Sequence, residues 1–132
     1  MTSKNPAQFT FVKLTVADIG SATRFFEEGL GMTHSNTIET DAFCEHIMTG
    51  RQGSTTIVLF HHKDGRPIEH GNAHGPIGMM TRDLEADLAR ATEAGARQQG
   101  MTASFGKTRV AIVTAPEGHQ IEMMQIAERD AT

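Results

Sequence analysis

The feature that most limits what this chain can fold into is that its order of elements runs twice. Shifted by 65 residues, Val12-Lys-Leu-Thr-Val-Ala-Asp18 falls on Ile77-Gly-Met-Met-Thr-Arg-Asp83. Apolar positions 12 and 14 meet 77 and 79, and Asp18 meets Asp83, each just ahead of a helical pattern. Further along, Glu28 meets Glu93, and Gly53 meets Gly118, each glycine shortly before an apolar strand pattern. Few residues are identical, so what repeats is a pattern of elements. Half of this chain is too small to bury both faces of a short sheet, whereas two halves side by side can. The 132 residues therefore predict one domain of two similar modules, about 9–62 and 76–126, joined by a polar linker over 63–75.

Each half reads as strand, helix, then three strands. Phe9 to Val16 alternates in character and predicts a strand; Ala22, Phe25, Phe26 and Leu30 mark one face of a helix that Gly29 and Gly31 end. Met32–Glu39, Phe43–Met48 and Ser54–His62 follow as strands. The second round predicts a strand over Ile77–Thr81, a helix over Leu84–Ala94 closed by Gly95, and strands over Ala96–Met101, Lys107–Thr114 and His119–Ile126. Asp18 and Asp83 are placed to cap their helices and to set negative charge at the positive end of each dipole. The tail from Ala127 to Thr132 is expected to fray.

Composition removes several classes of function. A net charge of −4 with the twelve basic residues scattered gives no clustered positive field for nucleic acid. No stretch is apolar enough to span a membrane, and the polar start around Pro6 lacks a secretory pattern. Cys44 is the single cysteine, so no internal disulfide forms, and a lone thiol fits a reducing, cytoplasmic setting. There is no phosphate-cradling glycine loop, nucleophile elbow or Cys-x-x-Cys pair. Trp and Tyr are absent while Phe numbers 7 and Met 8; these side chains fill a core or form an adaptable apolar pocket.

Two motifs at opposite ends carry a resemblance. Phe11-Val-Lys-Leu-Thr-Val-Ala-Asp18, with Phe25-Phe26 and Gly29-Leu30-Gly31-Met32, resembles the opening of vicinal-oxygen-chelate proteins, the superfamily of glyoxalases, bleomycin-resistance proteins and extradiol dioxygenases. Ala115-Pro116-Glu117-Gly118-His-Gln-Ile121-Glu122-Met123 resembles their closing motif. The likeness runs from about Phe9 to Ile126. It implies an α+β fold of two βαβββ modules, with a mixed curved sheet around a cleft, and a homodimer. It also implies a divalent metal, held in the metal-binding members by the first and last strands of each module. Carried over residue by residue, those positions are Phe11, Pro76, Val58 (or Ile57, with a register slip of one) and Glu122. Only Glu122 can donate an electron pair, and one carboxylate does not make a transition-metal site. The expectation is therefore no metal and no cofactor.

Strand alternation sets Phe11, Lys13 and Thr15 on one face, and the resemblance implies that this is the cleft face; by the same logic Thr56, Val58, Phe60 and His62, then Pro76, Gly78 and Met80, then Gln120, Glu122 and Met124 would line it. This is the usual make-up of a small-molecule pocket. Glu122 is the candidate general base, with Lys13 as a neighbouring charge; the alternative is an ion pair or a solvated strand residue. Arg109 is a candidate for an anionic ligand group, or a surface residue. His61 and His62 point to opposite faces. His70 and His74 read as loop histidines, and a Cys44/His46 pair shares one face as a nucleophile and base or as an ordinary strand pair.

The first functional expectation is a metal-independent binding protein of the bleomycin-resistance kind. It would hold an aromatic or apolar ligand among Phe11, Phe60, Met80 and Met124, with Lys13 and Glu122 as polar handles. The second is a glyoxalase-like lyase or isomerase with Glu122 as base and Lys13, Arg109 or His62 stabilising an enolate. A structural dimer without a ligand is the third.

Overall fold

The computed structural model describes residues 6–53 and 56–127. The first module runs β1 (Val12–Thr15), α1 (Ile19–Arg24) continued by a π turn (Phe25–Gly29), β2 (Thr33–Glu39), β3 (Phe43–Thr49), a 3₁₀ turn (Arg51–Gly53) and β4 (Thr56–His62). The second runs β5 (Ile77–Met80), α2 (Leu84–Glu93), β6 (Arg97–Phe105), β7 (Thr108–Thr114) and β8 (Gln120–Ile126). The 65-residue shift thus carries β1 onto β5, the start of α1 onto that of α2, and β3 onto β7. The expected tail lies outside the described residues beyond Ala127.

Each module forms a four-stranded sheet, in the order β1-β4-β3-β2 and β5-β8-β7-β6. β1 runs parallel to β4 and β5 parallel to β8, because a helix crossover must separate parallel neighbours; the other pairs are antiparallel. This is the mixed α+β architecture of paired βαβββ modules. The outer strands β2 and β6 are each broken by a register shift, between His34 and Asn36 and between Gln99 and Ala103.

Helix starts follow from the two aspartates. Asp18 Oδ1 accepts from Ser21 N at 3.0 Å and Asp83 Oδ1 from Ala86 N at 3.1 Å, satisfying a first-turn donor in each helix. The π turn presents the adjacent Phe25 and Phe26 to the core together, their rings edge to face at 5.7 Å. Gly29 ends that turn where a Cβ would stand 3.1 Å from the Ala94 methyl, so the close approach of the two modules needs a bare backbone there.

One core serves both halves. Val16, Ile57, Leu59 and Met48 from the first sheet meet Val113, Ile121 and Met123 from the second, with Phe25, Phe26, Leu84 and Ala91 from the helical layer between them. Burying a side chain of this kind is worth roughly 1.5–3 kcal/mol. Because these side chains alternate along their strands, the intervening residues of each sheet point to the face that no helix covers. No helix among the described residues is long and apolar enough to cross a membrane.

Candidate functional site

The uncovered face of the first sheet carries a pair that binds charge to aromatic surface. Lys13 on β1 reaches across β4, and its Nζ donates to Glu45 Oε1 on β3 at 2.7 Å. Cross-strand register explains the meeting: Lys13 pairs with Val58, and Glu45 pairs with Phe60, so all four stand on one face. Glu45 is 7% exposed, and the Lys13 side chain is 45% exposed. The ammonium lies 5.2 Å from the centre of the Phe60 ring and 5.9 Å from that of Phe11. Phe43 stacks on Phe60 at 5.2 Å, and His62 meets the edge of Phe60 at 4.5 Å. Val58 is buried beneath them.

On the second sheet, Glu122 and Met124 alternate with the buried Ile121 and Met123 and so stand on its uncovered face. Glu122 is half-buried and is flanked across the strands by Gly78, which leaves open space, and Ile112. No hydrogen bond or ion pair holds its carboxylate among the described residues. Met80 shares this face beside Met124 and is exposed.

The structure thus brings Phe11, Lys13, Val58, Phe60 and His62 together on one sheet, and Met80, Glu122 and Met124 on the other. It pairs Lys13 with Glu45, not with Glu122. Arg109 leaves the group: it stands two residues before the core residue Ala111, on the same face of β7, so it lies on the helix side, where its guanidinium binds Glu85 of α2. That ion pair holds the Glu85 carboxyl below its ordinary range. Glu45 is the residue that sequence reasoning missed. The alternation Phe43, Glu45, Ile47 along β3 was the available signal, since it sets a carboxylate between two apolar neighbours of one face.

An open groove of about 1560 Å³ runs between the edge strands β1 and β5 and along the linker. Lys13 and Thr15 line it from the first module, and Gly78, Met80 and Gln120 from the second. His70 and His119 form one of its walls. His70 is not a free loop histidine: its ring meets His119 edge to face at 4.7 Å, and its Nε2 bonds the carbonyl oxygen of Glu117 at 2.9 Å. The Glu117 carboxylate in turn accepts from Asp18 N at 2.7 Å and Ala17 N at 3.3 Å, tying the β7–β8 turn to the head of α1. Burial pushes the His119 imidazole below its ordinary pKa and the nearby His70 pushes it further, partly opposed by Glu117 and a hydrogen bond to the Thr15 backbone.

Cys44 and His46 share the helix-side face of β3. His46 Nδ1 bonds the Thr23 hydroxyl at 2.7 Å, and its ring stacks on His34 at 4.1 Å. Burial, helped by Glu39, pushes the Cys44 thiol up, the reverse of what a nucleophile needs. His61 Nδ1 meets the Val16 carbonyl oxygen at 3.1 Å on the face opposite His62.

A metal centre of the kind the resemblance implies does not suit these positions. Phe11, Pro76 and Val58 offer no donor atom, and Val58 is 3% exposed beneath its neighbours. Among the described residues, no three His, Cys, Asp or Glu side chains are grouped to hold an ion.

Comparison with known proteins agrees with this architecture. A lactoylglutathione lyase of Haemophilus influenzae is 26% identical over 124 residues, covering 89% of this chain and 92% of the lyase. A glyoxalase family protein from Bacillus cereus superposes with a TM-score of 0.84 at 17% identity, covering 97% of this chain and all of that one. An antibiotic binding protein from Streptomyces sp. CB03234, TnmS3, superposes with a TM-score of 0.74 at 20% identity, over 95% of this chain and all of the other. The sequence pattern of the Glyoxalase/Bleomycin resistance protein/Dioxygenase superfamily matches residues 8–123, nearly the whole chain, and the protein belongs to that superfamily.

Proposed function

We propose that this protein is a metal-independent, small-molecule-binding member of its superfamily, which takes up an apolar or aromatic ligand without transforming it. The observation that carries this reading is the face built from Phe11, Phe43 and Phe60 around Lys13: aromatic surface with one accessible polar group. The missing donors at 11, 58 and 76 support it from the other side. The fold is compatible with such a role, since an antibiotic binding protein shares it.

In this reading the working unit is a homodimer. Ile38, Met80, Phe105 and Ile126 are exposed, and each sits on an uncovered face, where a second copy would cover them.

A second reading has one observation in its favour. The Haemophilus influenzae relative is a lactoylglutathione lyase, and Glu122 presents a carboxylate beside the open space at Gly78. As a lyase this protein would use Glu122 as general base and would draw enolate stabilisation from Lys13 or His62, since Arg109 is on the wrong side of its sheet.

One set of measurements separates the two. The purified protein is assayed for bound metal, for its melting temperature with and without EDTA, Ni²⁺ and Zn²⁺, and for lactoylglutathione lyase activity followed as formation of lactoylglutathione. The binding reading expects no stoichiometric metal, no shift with EDTA, no turnover, and raised melting with aromatic compounds. About one metal per chain with turnover lost in EDTA overturns it. Metal-free turnover abolished by Glu122→Gln establishes the lyase.

A further inference from the structure

We propose that the Lys13–Glu45 face is a receptor for an aromatic carboxylate, with the Lys13 ammonium binding the anion and the phenylalanine rings binding the aromatic body. This names the ligand class of the aromatic face proposed above and rests on that reading.

The argument starts from which charge a ligand meets first. Glu45 lies behind, with 9% of its side chain exposed, and Lys13 stands in front with 45% exposed. An ammonium carries three N–H donors. Glu45 Oε1 takes one at 2.7 Å, which leaves two without an acceptor among the described residues. An incoming group therefore reaches a cation with donors to spare, and a carboxylate satisfies them by charge-assisted hydrogen bonds. An incoming cation would meet like charge before it reached Glu45. A neutral apolar ligand would cover the ammonium and strip its water without replacing it.

The rings fix the rest of the ligand. Phe60 and Phe11 stand 5.2 and 5.9 Å from the same nitrogen, and Phe43 extends the Phe60 surface by stacking. A carboxylate bound at Nζ sets a directly attached aromatic ring among these faces, where offset and edge contacts are favourable. An aliphatic acid of the same charge would leave them unused.

Glu45 acts through Lys13. It holds a flexible four-carbon side chain in one place before the ligand arrives, so less freedom is lost on binding. It is a positioning residue, and its neutral variant should weaken the carboxylate more than the neutral analogue.

The test is calorimetric titration of the full chain with matched probes: 2-naphthoate, 2-naphthylmethanol, 2-naphthylmethylamine and acetate. The expected order has naphthoate about tenfold tighter than the alcohol, from one charge-assisted contact. The amine is weaker than the alcohol, and acetate gives no heat. Lys13→Met should bring the carboxylate-to-alcohol ratio close to one while the alcohol still binds. Glu45→Gln should lower that ratio without abolishing it. If Lys13→Met fails to fold because Glu45 is left alone, the double variant K13M/E45M removes both charges and should show the same ratio near one. In the unaltered protein, the Lys13 ε-methylene NMR signals should move as naphthoate is added. Equal affinity for acid and alcohol, preference for the amine, or an unmoved Lys13 signal overturns the ligand class and leaves the aromatic binding face standing. Failure of every aromatic probe to bind at millimolar concentration overturns the binding face itself, and this inference with it.

Discussion

Taking a carboxylate out of water is costly, and the attraction of a partner offsets the cost only while that partner stays. With Glu45 7% exposed and Lys13 half open to solvent, Lys13→Met is expected to lower unfolding free energy by about 1–3 kcal/mol in urea denaturation. The double variant K13M/E45M should regain most of that loss, since it leaves no unpaired charge. Two histidines set a dependence on pH. Burial lowers the pKa of His46, reinforced by His34 and partly opposed by Glu39 and Glu27; burial and His70 lower that of His119. In both, the unfolded chain takes up the proton at higher pH than the folded protein does. Their contribution to stability is therefore complete above the ordinary histidine pKa, near 6.5, and is lost as pH falls through the lowered values. Melting temperature should fall between pH 7.5 and 5.5, and His119→Phe should flatten that fall. Lys13 and Phe60 were legible as cleft residues because alternation sets each on one face of its strand and the resemblance says which face is the cleft. Glu45 was not assigned there, because its partner comes from β1 across β4, and strand order is a property of the topology that local alternation does not carry.

At the scale of the element, the order of strands and helices was legible almost throughout, since capping aspartates, glycine stops and period-two runs are local signals. The ends were less so. The first strand is four residues long, not eight: the paired register with β4 covers Val12 to Thr15. The first helix passes into a π turn that the spacing of Phe25 and Phe26 did not announce. The β6 strand runs on to Phe105 because a bulge lets it rejoin β7 after Gln99. The linker held a further surprise, the docking of His70. That contact depends on Gly118, whose φ of +99° suits glycine and whose Cβ, if present, would stand 2.6 Å from His70 Nε2. Gly118→Ala is expected to cost about 1–2 kcal/mol and to speed hydrogen exchange through residues 68–75, because the ring must leave its seat. Unchanged exchange there would mean that His70 does not fasten the linker.

The whole molecule is two modules with a shared core and two faces left uncovered. Those faces, not the core, hold the residues that differ in chemistry: an ion pair with three phenylalanines on one, a lone carboxylate with methionines on the other. If a second copy covers them, sedimentation should give a dimer at micromolar concentration, and Phe105→Lys, which puts charge on an exposed ring position, should shift the distribution toward monomer without lowering the melting temperature of the monomer.

The bulges in β2 and β6 bear on the same question. A sheet of four strands has a rim, and a rim of unpaired amides and carbonyls invites the next molecule to continue it. A chain that carries two such sheets would be doubly exposed to end-to-end polymerisation. Here the outer rims β2 and β6 are kinked in mid-strand and faced with side chains such as Ser35, Asn36, Gln98 and Thr102, so neither offers a long straight template. The repeated order of elements that leaves this protein two open faces also sets, in each half, a break in pairing along the outer rim, where a straight edge would invite another strand.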